Sequence, residues 1–286
     1  MNEIAKPAGA PRDFESLRGL MVAMKDAMPK RLAQVAAYSL ANPDDVAFGT
    51  AASIAAASEV QPSTLVRLAR HLGYDGFSDL QSIFRSRLKE RHLSYEERLS
   101  KLEEQGNHVE ETELLRGFLN AAAQSISRLV ATVDPAQFAQ AVDILARAET
   151  IHLIAKRRAY PITAHVAYAL GKLGIRYAMV ASPNGVEPEM VQFATPRDAA
   201  FAVSFSPYAA ESVTYAHAFA ERGVPLVSLT DSAFSPLSGL STVWFEIAES
   251  DYAGFRSISA SMALAMALPV AVAEKRRQLE RARASE

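Results

Sequence analysis

TAASIAAASEVQPSTLVRLARHL, residues 50–72, is the stretch that decides the fold of the N-terminal part of the chain. Its apolar residues from Leu65 to Leu72 recur at i, i+3, i+4, i+7, which predicts a helix over about 62–72 with one face in a core. A shorter helix is predicted before it, over about 50–57, with a tight turn between the two. Two short helices joined by such a turn are typical of a helix-turn-helix, whose second helix enters the major groove of DNA.

The opposite face of the predicted second helix is polar. Arginine donates two hydrogen bonds to guanine, hydroxyl and amide side chains contact phosphates or base edges, and N–H groups at a helix start favour phosphate. We therefore expect this part of the chain to contact double-stranded DNA, and the candidate residues are Thr50, Gln61, Ser63, Thr64, Arg67, Arg70 and His71. Periodicity alone is equally compatible with a helical bundle whose polar face is merely solvated.

Further helices are predicted on both sides of this stretch. Apolar residues at helical spacing predict helices over about 14–24 and 30–41, the second closed by Pro43, and a later helix with Ser78 as its N-cap. No segment alternates with period two. The sequence therefore predicts an all-α helix-turn-helix domain over 1–92.

Residues 93–112 are rich in glutamate and predict an acidic, solvated linker. The 286-residue chain has a net charge of −2, which conceals +2 over 1–92 (12 Lys and Arg, 10 Asp and Glu) and −4 over the remainder. This small asymmetry agrees with a DNA partner for the first domain but does not decide it. Cysteine is absent, which excludes disulfides, thiolate metal sites and a cysteine nucleophile, and fits a reducing cytoplasm.

The C-terminal part, 113–286, has a different pattern. Five short apolar runs, most of them beginning about 25 residues apart, predict an α/β domain with a parallel sheet flanked by helices. The runs are Ile151–Ala155, Arg176–Val180, Ala200–Phe205, Pro225–Leu229 and Thr242–Ile247. Helices are predicted over about 113–133, 136–147 and 256–277. The longest uncharged apolar run, 257–273, is shorter than the ~20 residues of a membrane span, so no membrane partner is expected.

Three motifs of the N-terminal part resemble the RpiR/MurR family of bacterial transcriptional regulators. They are NPDDVAF over 42–48, PSTLVRLAR over 62–70 and LGYDGFSDL over 72–80, and the resemblance spans about 28–91. The turn departs from the family pattern at Glu59, where glycine is frequent, and at Gln61, where a serine N-cap is frequent. Glutamate tolerates a left-handed backbone poorly and glutamine is a weak cap, so a changed sequence preference or affinity is expected.

The C-terminal part resembles the sugar isomerase (SIS) domain, the ligand-binding module of the same family. The resemblance is carried by FSPY over 205–208 with Glu211-Ser212, by LTDS over 229–232 with SPL over 235–237, and by FRS over 255–257. It covers about 114–273. It implies that hydroxyl-rich loops hold a phosphorylated sugar or a related metabolite.

The strand ends carry the candidate effector-binding residues. Ligands of parallel sheets bind at the carboxyl ends of the strands, where helix N-termini offer N–H groups to anions. The candidates are Arg157, Arg158, Ser204, Ser206, Tyr208, Glu211, Thr230, Ser232 and Ser235. The alternative for the serines and the threonine is that they are ordinary helix caps.

The loop after the first strand departs most from the family pattern. Ala155 and Ala159 stand where glycine and serine are common in ligand-binding members. Arg157 and Arg158 offer direct charge to a phosphate or carboxylate in place of an N–H cradle. Solvated or interfacial arginines are the alternative.

A sugar-phosphate isomerase with a fused helical domain is the alternative function. Such an enzyme needs a positioned base, and the candidates are Glu187, Glu189, Glu211, His165 and His217. None lies in a recognisable catalytic spacing, and His152, inside an apolar strand, is expected to be a satisfied core residue. No Walker loop, nucleophile elbow or metal motif is present. The sequence therefore predicts a protein that is not an enzyme and has no metal or cofactor.

The last predicted helix is too apolar on all sides to face water, as Met262, Leu264, Met266, Leu268 and Val270 show. It is expected to pack against the sheet and a second subunit. A homodimer or homotetramer suits a twofold operator. The prediction as a whole is a cytoplasmic transcriptional regulator of carbohydrate or related carbon metabolism, controlled by a small phosphorylated or carboxylated metabolite.

Overall fold

The computed structural model describes residues 10–91, 99, 110–182 and 184–285. The chain divides into two compact units, 1–107 and 108–286. The predicted acidic linker, 93–112, lies outside the described residues except for 99 and 110–112.

The described part of the first unit consists of helices. The α-helices are α1 (Phe14–Ala23), α2 (Lys30–Ala41), α3 (Pro43–Phe48), α4 (Ala51–Ala57), α5 (Pro62–His71) and α6 (Phe77–Arg91). The predicted helix over about 30–41 is confirmed, and Pro43 after it begins α3, because proline suits the first turn of a helix. The predicted cap at Ser78 is wrong, since α6 already begins at Phe77 and Ser78 lies inside it.

Helix α5 packs on the core through the apolar residues whose spacing predicts the helix. Leu65, Leu68 and Leu72 are at most 1% exposed. Helix α6 supports the connection between α3 and α4. The side-chain amide of Gln81 donates to the carbonyl oxygens of Val46 and Gly49, both at 2.8 Å. These two bonds fix the position at which α4 begins.

The second unit contains a five-stranded parallel sheet in the order β2-β1-β3-β4-β5. The strands are β1 (Ile151–Ala155), β2 (Tyr177–Met179), β3 (Ala199–Val203), β4 (Leu226–Thr230) and β5 (Val243–Glu246). The α-helices are α7 (Glu111–Thr132), α8 (Pro135–Arg147), α9 (Tyr160–Lys172), α10 (Glu187–Gln192), α11 (Ala210–Glu221) and α12 (Ser259–Ala284). The predicted fold class is confirmed in both units.

Every residue of β1, β3 and β4 is buried, because the sheet is covered on both faces. One core joins the sheet to α8, α9 and α12, and a second core joins the other face to α11. The strand order reverses between β1 and β3. In open parallel sheets such a reversal opens a crevice at the carboxyl ends of the two strands, and ligands bind there.

The segment before α12 differs from the sequence prediction. Residues 251–256 form a hairpin of β6 (Asp251–Tyr252) and β7 (Phe255–Arg256), and α12 begins only at Ser259. The two turn residues, Ala253 and Gly254, have φ of 54° and 81°, as a two-residue hairpin of the favoured twist requires. Arg256 therefore lies on a short strand, not in the last helix.

In the described ranges, no helix has both the length and the apolar character to cross a membrane.

Candidate nucleic-acid interface and strand-end site

Helix α4 begins with a reciprocal cap. Thr50 Oγ1 accepts from the Ser53 amide at 3.1 Å, and Ser53 Oγ accepts from the Thr50 amide at 2.9 Å. This capping box satisfies two amide groups that the first helical turn would otherwise leave unpaired. Thr50 is exposed, so its role as a DNA contact stays a prediction alongside its structural role as a cap.

The turn between α4 and α5 closes on a left-handed glutamate. Glu59 has φ of 54°, and the backbone bonds from Val60 N to Ala55 O (2.9 Å) and from Glu59 N to Ala56 O (3.1 Å) form a Schellman motif. The position where the sequence departs from the family glycine is therefore one that favours glycine on physical grounds. A side chain of α2 supports the turn, since Gln34 Nε2 donates to Ser58 O at 2.9 Å.

Helix α5 starts without a side-chain cap. Gln61 makes no capping hydrogen bond and Pro62 occupies the first turn, so the start of the helix is available to an outside acceptor. Thr64, predicted beside the polar face, is instead 8% exposed, because it lies four residues before the buried Leu68 and so on the same side of the helix. It lines a cleft of about 290 Å³ formed by Arg31, Ala55, Ala56, Glu59, Val60, Gln61 and Thr64.

The outer face of α5 presents its cations to solvent. Ser63, Arg67, Arg70 and His71 are all exposed. Neither Arg67 nor Arg70 forms a side-chain hydrogen bond or an ion pair with any residue in the described ranges. Two guanidinium groups one helical turn apart, on a helix whose opposite face is fully packed, suit insertion into a major groove.

The hydroxyls at the strand ends of the second unit have a different arrangement. Ser204, Thr230, Ser232 and Ser235 are at most 4% exposed. Ser204 Oγ accepts from Ala209 N at 3.3 Å and Ser232 Oγ accepts from Phe234 N at 3.1 Å. Their hydroxyls are thus engaged as local caps. Their role in binding an effector stays a prediction.

A hydroxyl pair links β4 to the loop that follows it. Thr230 Oγ1 donates to Ser235 Oγ at 2.6 Å, and Ser235 Oγ accepts from Leu237 N at 3.2 Å. The remaining predicted residues, Arg157, Arg158, Ser206, Tyr208 and Glu211, are exposed or half-buried and so accessible from solvent.

Charged side chains from three separate segments form hydrogen bonds with the backbone of Ser206. Its N–H donates to Asp231 Oδ2 at 3.0 Å, and its carbonyl oxygen accepts from Arg158 Nη2 at 3.4 Å and Arg256 Nη1 at 3.0 Å. Arg158 also lies over the ring of Phe205, at 5.4 Å from the centroid. The structure thus brings the predicted Arg158 and Ser206 together, while Arg157, at φ of 55°, is exposed.

A partly buried ion pair lies beyond the ends of β1 and β2, with Glu187 buried and Lys156 half-buried. Lys156 Nζ and the Ser182 amide both donate to Glu187 Oε1, at 2.7 and 3.0 Å. The hydrogen bond from Lys156 and, to a smaller extent, that from the Ser182 amide lower the pKa of Glu187 from 4.5 to about 2. Such a carboxylate is a poor proton acceptor, so Glu187 does not suit the general-base role that an isomerase needs.

Two of the other isomerase candidates lie at the surface. His217 is paired with Glu221 at 3.4 Å and is largely exposed, as is Glu189. His152 is in the core as predicted, against Phe219, but its Nδ1 has no hydrogen-bond partner in the described ranges. Burial lowers its pKa. No cluster of three or more His, Asp or Glu in those ranges is suited to a metal ion.

Three residues of the site, Lys156, Asp231 and Arg256, were not predicted as site residues, and Glu187 was predicted only as a candidate base of an isomerase. Asp231 and Arg256 lie inside motifs quoted for the resemblance, but the pattern gave Arg256 to a helix. Tyr252-Ala253-Gly254-Phe255, in which two aromatic residues flank a turn-compatible pair, was the available signal for the hairpin. Nothing in the spacing of Lys156 and Glu187 indicated their contact.

These two units define a class: a helix-turn-helix protein that also carries a doubly wound α/β domain, whose strand order reverses between β1 and β3. Known proteins make the assignment specific. Residues 19–91 match the helix-turn-helix domain of the rpiR family, and residues 144–271 match the SIS domain. The chain thus combines a helix-turn-helix domain of the rpiR family with a SIS domain, as a transcriptional regulator of RpiR type.

Individual relatives agree with this assignment. The HTH-type transcriptional regulator YbbH of Bacillus subtilis, itself uncharacterized, is 27% identical over 254 residues, which are 86% of this chain and 84% of YbbH. The Vibrio vulnificus NanR protein, solved in complex with ManNAc-6P, is 25% identical with a TM-score of 0.55, covering 91% of this chain and 92% of NanR.

The fold of the second unit alone is shared with the sugar isomerase domain of an RpiR transcription factor from Sphaerobacter thermophilus. The identity is 20% and the TM-score 0.55, over 58% of this chain and 93% of that domain.

Proposed function

We propose that the protein is a DNA-binding regulator of carbohydrate or related carbon metabolism, and that a small anionic metabolite in the SIS domain controls its affinity for an operator. The observation that carries the DNA-binding part is the outer face of α5. Arg67 and Arg70 are exposed there with no internal partner among the described residues, while the inner face of the helix is packed.

The crevice between β1 and β3 supports the effector part of the proposal. It lies at the reversal of strand order, and Arg158 from the loop after β1 and Asp231 from the loop after β4 both bond to the backbone of Ser206, which follows β3. The similarity to NanR, which was solved with a phosphorylated amino sugar, supports a sugar-derived anion as the class of effector.

A homodimer is the proposed working form, with a homotetramer as a dimer of dimers. Helix α7 carries Leu115, Leu119, Ile126 and Val130, all 41–75% exposed, at a spacing that places them in one narrow stripe. On α12, Met266 and Val270 are 57% and 61% exposed, whereas Leu264 and Leu268 pack on the sheet. Exposed apolar stripes of this kind mark interaction surfaces. Sedimentation of Leu119→Lys should show a smaller assembly than the parent, and an unchanged one would contradict this surface.

The two parts are coupled if the effector binds better to one arrangement of the DNA-binding units than to another. Binding then shifts the population of dimers that fits the operator spacing. This coupling needs no contact between the effector and DNA.

Selection of duplexes from a random pool by the full-length protein tests the proposal. We expect enrichment of a sequence with twofold symmetry, because each subunit of a dimer contributes one recognition helix. Failure to enrich any sequence, with soluble and folded protein, would contradict DNA binding by sequence.

A further inference from the structure

The backbone amides that a strand-end anion site normally uses are already bonded to the chain's own side chains. Ser182 N donates to Glu187, Ser206 N to Asp231, and Ala209 N to Ser204. Anions at such positions are usually held by these N–H groups. An external anion at the ends of β2 and β3 must therefore be recognised by other donors.

Two guanidinium groups supply those donors. Arg158, from the turn after β1, and Arg256, from β7, both donate to the carbonyl oxygen of Ser206, at 3.4 and 3.0 Å. Further contacts hold the two guanidinium groups in place. Arg158 stacks on Phe205, and Arg256 Nη1 lies 4.0 Å from Asp231 Oδ2. Stacking and ion pairing hold the planar groups in place before a ligand arrives.

The charges of this cluster select among anions. Arg158, Arg256 and Asp231 together carry one net positive charge. The neighbouring cation, Lys156, is neutralised by the buried carboxylate of Glu187. A monoanion balances the cluster, whereas a phosphate dianion leaves an excess negative charge in a half-buried site. A planar carboxylate also matches the two N–H groups that a guanidinium presents in one plane.

We propose that Arg158 and Arg256 form a carboxylate-binding subsite, and that the effector of this protein is a small organic acid rather than a phosphate ester. The proposal rests on the effector role of the second unit given above and specifies the group that is recognised. Arg158 and Arg256 bind the carboxylate, Asp231 positions Arg256 and the Ser206 peptide, and Glu187 keeps Lys156 from acting as a second anion site.

The thermal midpoint of the full-length protein tests this subsite with matched probes. The probes are hydroxy acids of three to six carbons, including glycerate and gluconate, together with glycerol 3-phosphate, glucose 6-phosphate, glycerol and sorbitol. At a concentration about 100 times its Kd, a ligand stabilises the folded state by about 2.7 kcal/mol, which for a chain of this size raises the midpoint by several degrees. We expect such a rise with at least one acid and with neither phosphate ester nor polyol. The proposal is overturned if only phosphate esters raise the midpoint, or if none of the acids raises it.

Variants locate the subsite. Arg256→Gln and Arg158→Gln should each abolish the rise produced by the active acid, and Arg256→Lys, which keeps the charge but not the planar pair of donors, should weaken acid binding at least several-fold. Arg176→Gln, an exposed arginine directly before β2 and so at the opposite end of the sheet, is the matched control and should keep the full rise. Persistence of the rise in both Arg158→Gln and Arg256→Gln, or its loss only in Arg176→Gln, overturns the assignment. Duplex selection is scored separately, so a failure here with intact DNA binding rejects the subsite and not the regulator.

Discussion

The two candidate surfaces of this protein use their polar groups in opposite ways. On α5, the side chains that face outward, Arg67 and Arg70 among them, have no partners in the described part of the chain. At the strand ends of the second unit, hydroxyls and amides bond to one another, as in the pair Thr230 and Ser235. The first surface keeps its hydrogen-bonding capacity for a partner. The second uses most of its hydrogen-bonding capacity within its own loops.

The largest effect is expected on DNA affinity when the unpartnered arginines of α5 are removed. Arg67→Ala combined with Arg70→Ala should weaken binding to the selected duplex on the order of 100-fold or more, because each bidentate arginine–guanine pair contributes about 1–3 kcal/mol. Fluorescence anisotropy measures the loss. Arg128→Ala, an exposed arginine on α7, is the control and should bind as the parent does. Equal binding by the double variant would remove α5 as the recognition helix.

At the strand ends, substitution of an internally bonded polar group should mainly lower the stability of the fold. Glu187→Gln should lower the free energy of unfolding by about 2 kcal/mol at pH 7, less than for a fully buried pair because Lys156 is 26% exposed. Urea unfolding measures the loss. Glu189→Gln, two residues along α10 and exposed, is the matched control and should be near neutral.

The pH dependence of this loss has a definite sign. The folded pKa of Glu187, about 2, lies below its ordinary value of 4.5, so its contribution to stability is complete above pH 4.5 and lost as the pH falls toward 2. The difference between parent and Glu187→Gln should therefore shrink over that interval. A difference that is constant down to pH 2 would show that the charge of Glu187 is not what stabilises the fold.

A smaller effect separates structural from ligand-binding hydroxyls. Thr230→Val removes one of the two donors to Ser235 Oγ and should cost about 1 kcal/mol of folding stability, since a buried hydrogen bond is lost. The acid that stabilises the parent should bind the folded variant with unchanged affinity. Thr214→Val on the exposed side of α11 is the control for both measurements. Normal stability together with weaker acid binding would place Thr230 in contact with the effector instead.

The sequence predicted those features that depend on one periodic pattern. The apolar spacing from Leu65 to Leu72 and the buried runs such as Ile151–Ala155 determine helix and strand directly, and the structure confirms both. The predicted outer face of α5 follows from the same spacing, except for Thr64, which lies too close to the packed stripe to be exposed.

Features that depend on contacts between distant segments were not predictable in this way. Lys156 and Glu187 are 31 residues apart, and Arg256 is 50 residues from Ser206. Their meeting depends on where the strand order reverses and on a hairpin of two residues per strand, which is too short to leave a periodic pattern. The serines after β3 and β4 illustrate the same limit, because a cap and a ligand contact require the same residue type.

Replacing Arg67 with lysine tests most directly whether α5 recognises bases or only attracts phosphate. Lysine keeps the positive charge but not the fork that matches guanine. The relevant quantity is the ratio of affinities for the selected duplex and for a shuffled duplex of equal composition, measured at one salt concentration. We predict that Arg67→Lys lowers this ratio on the order of tenfold while affinity for the shuffled duplex stays the same. A ratio equal to that of the parent would contradict base recognition by Arg67.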